Sequence, residues 1–244
     1  MYFKNFNIIE YQFGNAEDPA LFDNITAYVD LLDQLRDQIV FYEEAYIQEG
    51  ERPDQMSSRI YGSPNYHWTF FLSNPKLREQ GWPVTETEIR ELAKRRYPHW
   101  TVTTKDNFST KEKFFPGDRV EGLTSGSVGV VVERNLDLGQ IVIDSPDNFN
   151  AERIVSGDTV EEQNENFIDA VADSPFQYNA VHHYTDSDGV ITDIDPFTQV
   201  TTNLTAVTIL DRLIDANTDL KQIAVIKPEN IEAVALEFYN KLRQ

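Results

Sequence analysis

The sequence predicts an α+β protein: an N-terminal helix, a compact βααβ unit, an inserted small antiparallel β-barrel, and a C-terminal β-hairpin and helix. Three patterns carry this prediction. Apolar residues recur at spacings of three and four near both ends of the chain. Helix-starting prolines and a helix-ending glycine bracket residues 53–75. Short β-branched runs separated by Gly-containing turns fill residues 114–160.

Residues 19–39, "PALFDNITAYVDLLDQLRDQI", place Leu21, Ile25, Tyr28, Leu32, Leu35 and Ile39 on one helical face. "VFYEEAYI" then reads as a strand and "EGERP" as a turn. Pro53 fits the first turn of a helix, where its missing N–H costs nothing. Gly62 suits the left-handed position that ends it, and Ser63-Pro64 starts a second helix. That helix is expected to turn Pro64, Trp68, Phe71 and Leu72 inward, against the Met56–Ile60 face, and to stop at Asn74-Pro75. "QGWPV", residues 80–84, reads as the returning strand. Thr85-x-x-Glu88 caps the next helix, with Ile89, Leu92 and Ala93 as its apolar stripe and Tyr97-Pro98 as its end.

From Phe114 three strands are expected near 118–123, 127–134 and 140–144, with a fourth near 152–155. Together they read as a small barrel. Residues 146–178 read as barrel edge and connecting loop. "VHHYTDSDGVITDID" reads as a hairpin turned by Asp186–Gly189, and 228–242 as an amphipathic helix opened by Pro228. The expected domains are an arm and helix over 1–39, the βααβ unit and following helix over 40–113, the barrel over 114–165, and an α+β region over 166–244.

Composition narrows function. The formal net charge is −20, which argues against nucleic acid as a partner, because phosphate binding needs a basic footprint. The charge is uneven. Residues 75–113 carry 9 Lys/Arg against 6 Asp/Glu, while the flanking segments are strongly acidic. Lys94, Arg95 and Arg96 form the centre of this basic island, which is either a solvated helix face or a dock for another acidic subunit. The chain has no cysteine, so disulfides, thiol nucleophiles and Cys-based zinc sites are excluded. No apolar run approaches a membrane span, and the first residues lack a signal-peptide pattern. No membrane partner is expected.

Catalytic patterns are missing. There is no G-x-S-x-G, H-E-x-x-H or phosphate loop. His182 and His183 are adjacent on a predicted strand, so they should face opposite ways and not share a metal. "DSDG" fails the spacing of a calcium loop. Carboxylates abound, but nothing singles out one pair. No enzyme activity, cofactor or metal is expected.

The stretch "YIQEGERPDQMSSRIYGSPNYHWTFFLSN", residues 46–74, resembles a LysM repeat: strand, polar turn, a helix ending in Tyr-Gly, a second helix containing Trp, then Asn. With "GWPVTETEI" it is similar to the small baseplate wedge protein of T-even-type contractile-tailed bacteriophages (myoviruses). The segments "VHHYTDSDGVITDIDPF" and "LKQIAVIKPENIEAVALEFYNKL" resemble that family's C-terminal region. The motif positions are Pro53, Ile60, Tyr61, Gly62, Trp68, Asn74 and Trp82. The resemblance implies a structural virion protein of the tail baseplate, assembled in the host cytoplasm. It would join other wedge subunits, clamp neighbouring wedges and meet the hub periphery. The alternative is a peptidoglycan-binding module. LysM modules hold N-acetylglucosamine chains through two loops, which here include Glu49, Gly50, Arg52, Ser73 and Asn74.

Overall fold

The computed structural model describes residues 8–14, 20–23, 42–106, 114–194 and 203–242. In chain order, β1 (Ile8–Tyr11), β2 (Ala20–Asp23) and β3 (Tyr42–Tyr46) come first. Helix α1 (Pro53–Tyr61), a 3-10 turn (Pro64–Tyr66), α2 (Trp68–Ser73), α3 (Pro75–Gln80) and α4 (Glu86–Arg96) follow. The middle holds β4 (Trp100–Thr103), β5 (Arg119–Gly122), β6 (Val128–Asn135), β7 (Gln140–Asp144), β8 (Arg153–Ser156), α5 (Val160–Glu165) and β9 (Phe167–Asp169). Last come β10 (Val181–Thr185), β11 (Ile191–Thr192), β12 (Thr205–Thr208), α6 (Ile209–Asp219), β13 (Gln222–Ile226) and α7 (Ile231–Leu242). The fold is mixed α and β, and its sheets are antiparallel.

The chain divides into two compact units. One comprises residues 1–85 with 217–244, and the other residues 86–216.

In the first unit, β3 pairs with β13, with Tyr46 opposite Gln222 and Tyr42 opposite Ile226. Residues 80–84, predicted as the returning strand, are not one. Gly81 has φ 91° and ends α3 by donating its N–H to the Leu77 carbonyl. Val84 is clasped by Asn217: its N–H donates to Oδ1 at 2.9 Å, and its carbonyl accepts from Nδ2 at 3.0 Å. Side chains thus take the polar groups that a ladder would use. Ile47, Met56, Phe70, Leu77, Leu220, Ile223 and Val225 form the core. Phe70 is fully buried, whereas Phe71 and Leu72 are only half-buried. The helical phase shifts because residues 64–66 make a separate 3-10 turn and α2 starts only at Trp68.

The N-terminal residues differ from expectation too. Ala20–Asp23 of the predicted helix 19–39 pairs as a strand with Ile8–Tyr11. The remainder of that helix lies outside the described residues.

In the second unit, six strands form one sheet in the order β4-β7-β6-β5-β8-β9. Four of the six match the predicted strands; β4 and β9 flank them. Among the described residues no closed barrel forms. β4 and β9 lie at opposite ends of the strand order, and the chain beyond β9 meets β4 through isolated bridges, Thr104 with Ala170 and Trp100 with Phe176. The core holds Val102, Phe114, Val120, Val131, Ile141, Ile143, Phe149, Ile154 and Ile168. Within the predicted loop 146–178, Thr159 caps α5 through Glu162, and β9 follows. Strand β10 pairs with β11, as the hairpin reading expects, and also with β12. Helix α4 buries Ile89 and Ala93 against Leu210 of α6, while Leu92 is exposed instead of joining the stripe.

Candidate functional site

Site geometry in the first unit starts from the segment that resembles LysM. Pro53 is the first residue of α1, and the Arg52 N–H donates to Gln55 Oε1 at 3.0 Å. Gly62 ends the helix at φ 71°, a left-handed conformation that glycine adopts without steric cost. Ile60 packs on the core. Tyr61 stacks on Phe70 and donates its hydroxyl to the Ile226 carbonyl at 2.9 Å. Burial pushes its phenol pKa up strongly.

Trp68 is buried, as its spacing predicts, but its partners differ. It stacks on Phe238 of α7 at 4.5 Å and meets Tyr239, rather than facing Met56 and Ile60. Trp82 packs on Phe70 and Phe71 and donates its indole N–H to the Glu51 carbonyl at 2.6 Å.

Asn74 has a specific role that the sequence pattern does not reveal. Its Oδ1 accepts from the Ala224 N–H at 2.9 Å, and its Nδ2 donates to the carbonyls of Ala224 and Phe70, each at 2.8 Å. The side-chain amide thereby takes the place of a peptide group on the edge of β13 that faces away from β3. An open strand edge is a template for further pairing, and Asn74 covers it.

The two loops of the glycan alternative are bonded internally. Glu49 pairs with Lys221. Arg59 donates to both carboxylate oxygens of Glu51 at 2.7 and 2.8 Å, and to the Tyr46 carbonyl at 3.0 Å. The Arg59 guanidinium holds the Glu51 carboxyl below its ordinary range. Arg52 forks onto Asp54 at 2.7 and 3.0 Å. Gly50 lies beside Thr85, where an added Cβ would touch Cγ2 at 3.5 Å. Ser73 is the half-buried last residue of α2. An apolar cavity of about 360 Å3 opens beside Asn74, Pro75 and Leu77 on one side and Leu220 and Ile223 on the other.

Lys94, Arg95 and Arg96 occupy the last turn of α4, where positive charge complements the helix dipole. Lys94 bonds Glu91 at 2.8 Å, and Arg96 lies 5.7 Å from the centre of the Tyr97 ring.

The second unit has a groove of about 540 Å3 lined by Asn135, Asp137, His182, His183, Tyr184 and Asp193, among others. Here the strand alternation fails. A register shift between Val181 and His183 makes His182 an extra residue in β10, and the two imidazoles meet, Nδ1 to Nδ1, at 2.9 Å. Among the described residues, no group of three or more His, Cys, Asp or Glu is arranged to hold a metal ion. No described helix is long and apolar enough to cross a membrane.

No protein-family model matches the chain, and no curated protein matches it.

Proposed function

We propose that this protein is a structural, non-enzymatic subunit of a phage tail baseplate wedge, where it joins and clamps neighbouring wedges during assembly. The observation that carries this reading is the way the first unit uses its motif. A strand, two helical segments and a second antiparallel strand hold Tyr61 and Asn74, while Trp68 packs on α7, in keeping with a LysM-like arrangement whose second strand comes from residues 222–226. The motif residues bond and pack within the unit, which leaves its outer surfaces for partners. The basic last turn of α4 on a chain of net charge −20 gives such a protein one surface suited to an acidic neighbour.

The glycan alternative is less well supported, because Glu49, Glu51, Arg52 and Asn74 already have partners within the unit.

Mass spectrometry of purified contractile tails is the test. The chain should appear at a fixed ratio to the other wedge proteins, and its loss should leave incomplete baseplates. A chain missing from the tails, with tails assembling normally without it, refutes the proposal. Titration with chitooligosaccharides, followed by tryptophan fluorescence, should give a flat trace.

A further inference from the structure

The His182–His183 pair has a second bond. Arg212, on α6, places Nη1 3.0 Å from His182 Nε2. A guanidinium only donates, so Nε2 must carry a lone pair. The neutral His182 ring then bears its proton on Nδ1. That N–H points at His183 Nδ1, which must accept, so His183 bears its proton on Nε2. The ring geometry agrees. The centroids are 5.2 Å apart with the planes at 89°, so the separation exceeds the nitrogen distance by about two ring radii and the nitrogens meet head-on. Two lone pairs converging on one metal ion would bring the rings closer together.

The three groups therefore form a chain of hydrogen bonds with one direction, Arg212 to His182 to His183. This chain exists only when both imidazoles are neutral. A proton added to His182 falls on Nε2 and breaks the bond from Arg212. A proton added to His183 falls on Nδ1 and sets two N–H groups against each other. Either event also brings a second positive charge beside Arg212.

We propose that His182, His183 and Arg212 form a proton-sensitive latch that ties β10 to α6 and releases on acidification. Among the described residues, the charged and titratable groups around it are few. Tyr184 shares the strand. Asp137 on the β6–β7 turn and Asp193 beyond β11 line the same groove, and neither bonds a ring. On α6, Asp211 is tied to Thr208 at 2.7 Å, and Asp215 lies one turn beyond Arg212. Burial lowers the pKa of His182 from its ordinary 6.5, and the Arg212 charge and His183 lower it further. The sign follows. The latch is closed above the ordinary histidine range and is lost as the pH falls toward the depressed value of His182.

Nitrogen-15 NMR of the full-length protein reads the tautomers directly. At about pH 8, His182 should be protonated on Nδ1, the minor form of free histidine, and His183 on Nε2. Arg212→Ala should return His182 to the Nε2–H form and raise its titration midpoint. Amide exchange in β10 and the first turn of α6, corrected for the intrinsic pH effect, should quicken several-fold between about pH 7.5 and pH 5. That pH dependence should vanish in Arg212→Ala. An Nε2–H tautomer on wild-type His182, a midpoint unmoved by Arg212→Ala, or pH-independent exchange in the wild type would each overturn the proposal. The wild-type tautomer decides the matter even if the variant misfolds.

Discussion

Removing the Glu152 carboxylate should unlock the β5–β6 turn. Glu152 is buried at 7% exposure, an unusual place for a charge, and among the described residues no cation pairs with it. Its carboxylate is held by backbone instead. Oε2 accepts from the N–H groups of Thr124 and of Ser125, the latter at 2.8 Å, and Oε1 accepts from Asn150 at 3.0 Å. Gly122 leaves the space, since an added Cβ would stand 2.6 Å from Oε1. Glu152→Ala strands three N–H groups, each costing about 1–3 kcal/mol if water cannot reach it. Water entering the vacated space recovers part, so the expected loss is about 3–5 kcal/mol. Glu152→Gln can keep the two bonds at one oxygen but sets an NH2 against the Asn150 N–H, for a loss of about 2 kcal/mol.

The pH dependence of Glu152 has a definite sign. Burial pushes the carboxyl up, but the hydrogen bonds from Ser125, Thr124 and Asn150 together outweigh it, and the net shift is downward from 4.5. The charge therefore stabilises the fold above the unfolded pKa, and this contribution is lost as the pH falls through the lower, folded value. Urea unfolding of the wild type and Glu152→Gln, at neutral pH and across the acid limb, measures both effects. The two proteins should converge as the pH drops below 4.5. Equal stability at neutral pH, or a gap that does not narrow in acid, refutes the reasoning.

Three further outcomes are expected. Asn74→Ala should cost about 2–3 kcal/mol in urea unfolding and expose the Ala224 amide to hydrogen exchange, because two peptide groups and the end of α2 lose their partner. Trp68→Ala should cost about 3–5 kcal/mol in thermal unfolding and loosen α7, whose Phe238 loses its stacking surface. Gly62→Ala should cost only about 1–2 kcal/mol in the same assay, since an added Cβ meets nothing within 4 Å and only the backbone at φ 71° is strained.

Local signals in the sequence carried most elements. Pro53 and Gly62 bracket α1 because each acts on its own backbone, and the strands at 119–122, 128–135 and 140–144 are separated by turns that carry Gly126 and Gly139, with a glycine-free connection leading on to 153–156. Pairing over distance was not legible. Residues 80–84 offer only Trp82 and Val84 as strand formers, and the partner of β3 lies beyond residue 220, where no local pattern encodes which strand arrives. The short helix α5 was within reach, because Thr159-x-x-Glu162 is a capping box. So was α6: Thr208 and Asp211 mark its start, and Leu210, Leu213 and Ile214 form its stripe. The strand-edge role of Asn74 and the meeting of the two histidines depend on a distant strand and on a one-residue bulge, which spacing alone cannot register.

The clasp of Val84 by Asn217 makes the chain leave and rejoin the first unit at one point. To that unit, the intervening stretch of about 130 residues is one long loop. Closing so long a floppy loop, rather than a turn of a few residues, would cost only about 3 kcal/mol, because the penalty grows with the logarithm of length. A stretch that folds with its ends together costs less still. Carrying so long an insertion therefore asks little, in chain entropy, of the two-stranded sheet and the aromatic core beside it.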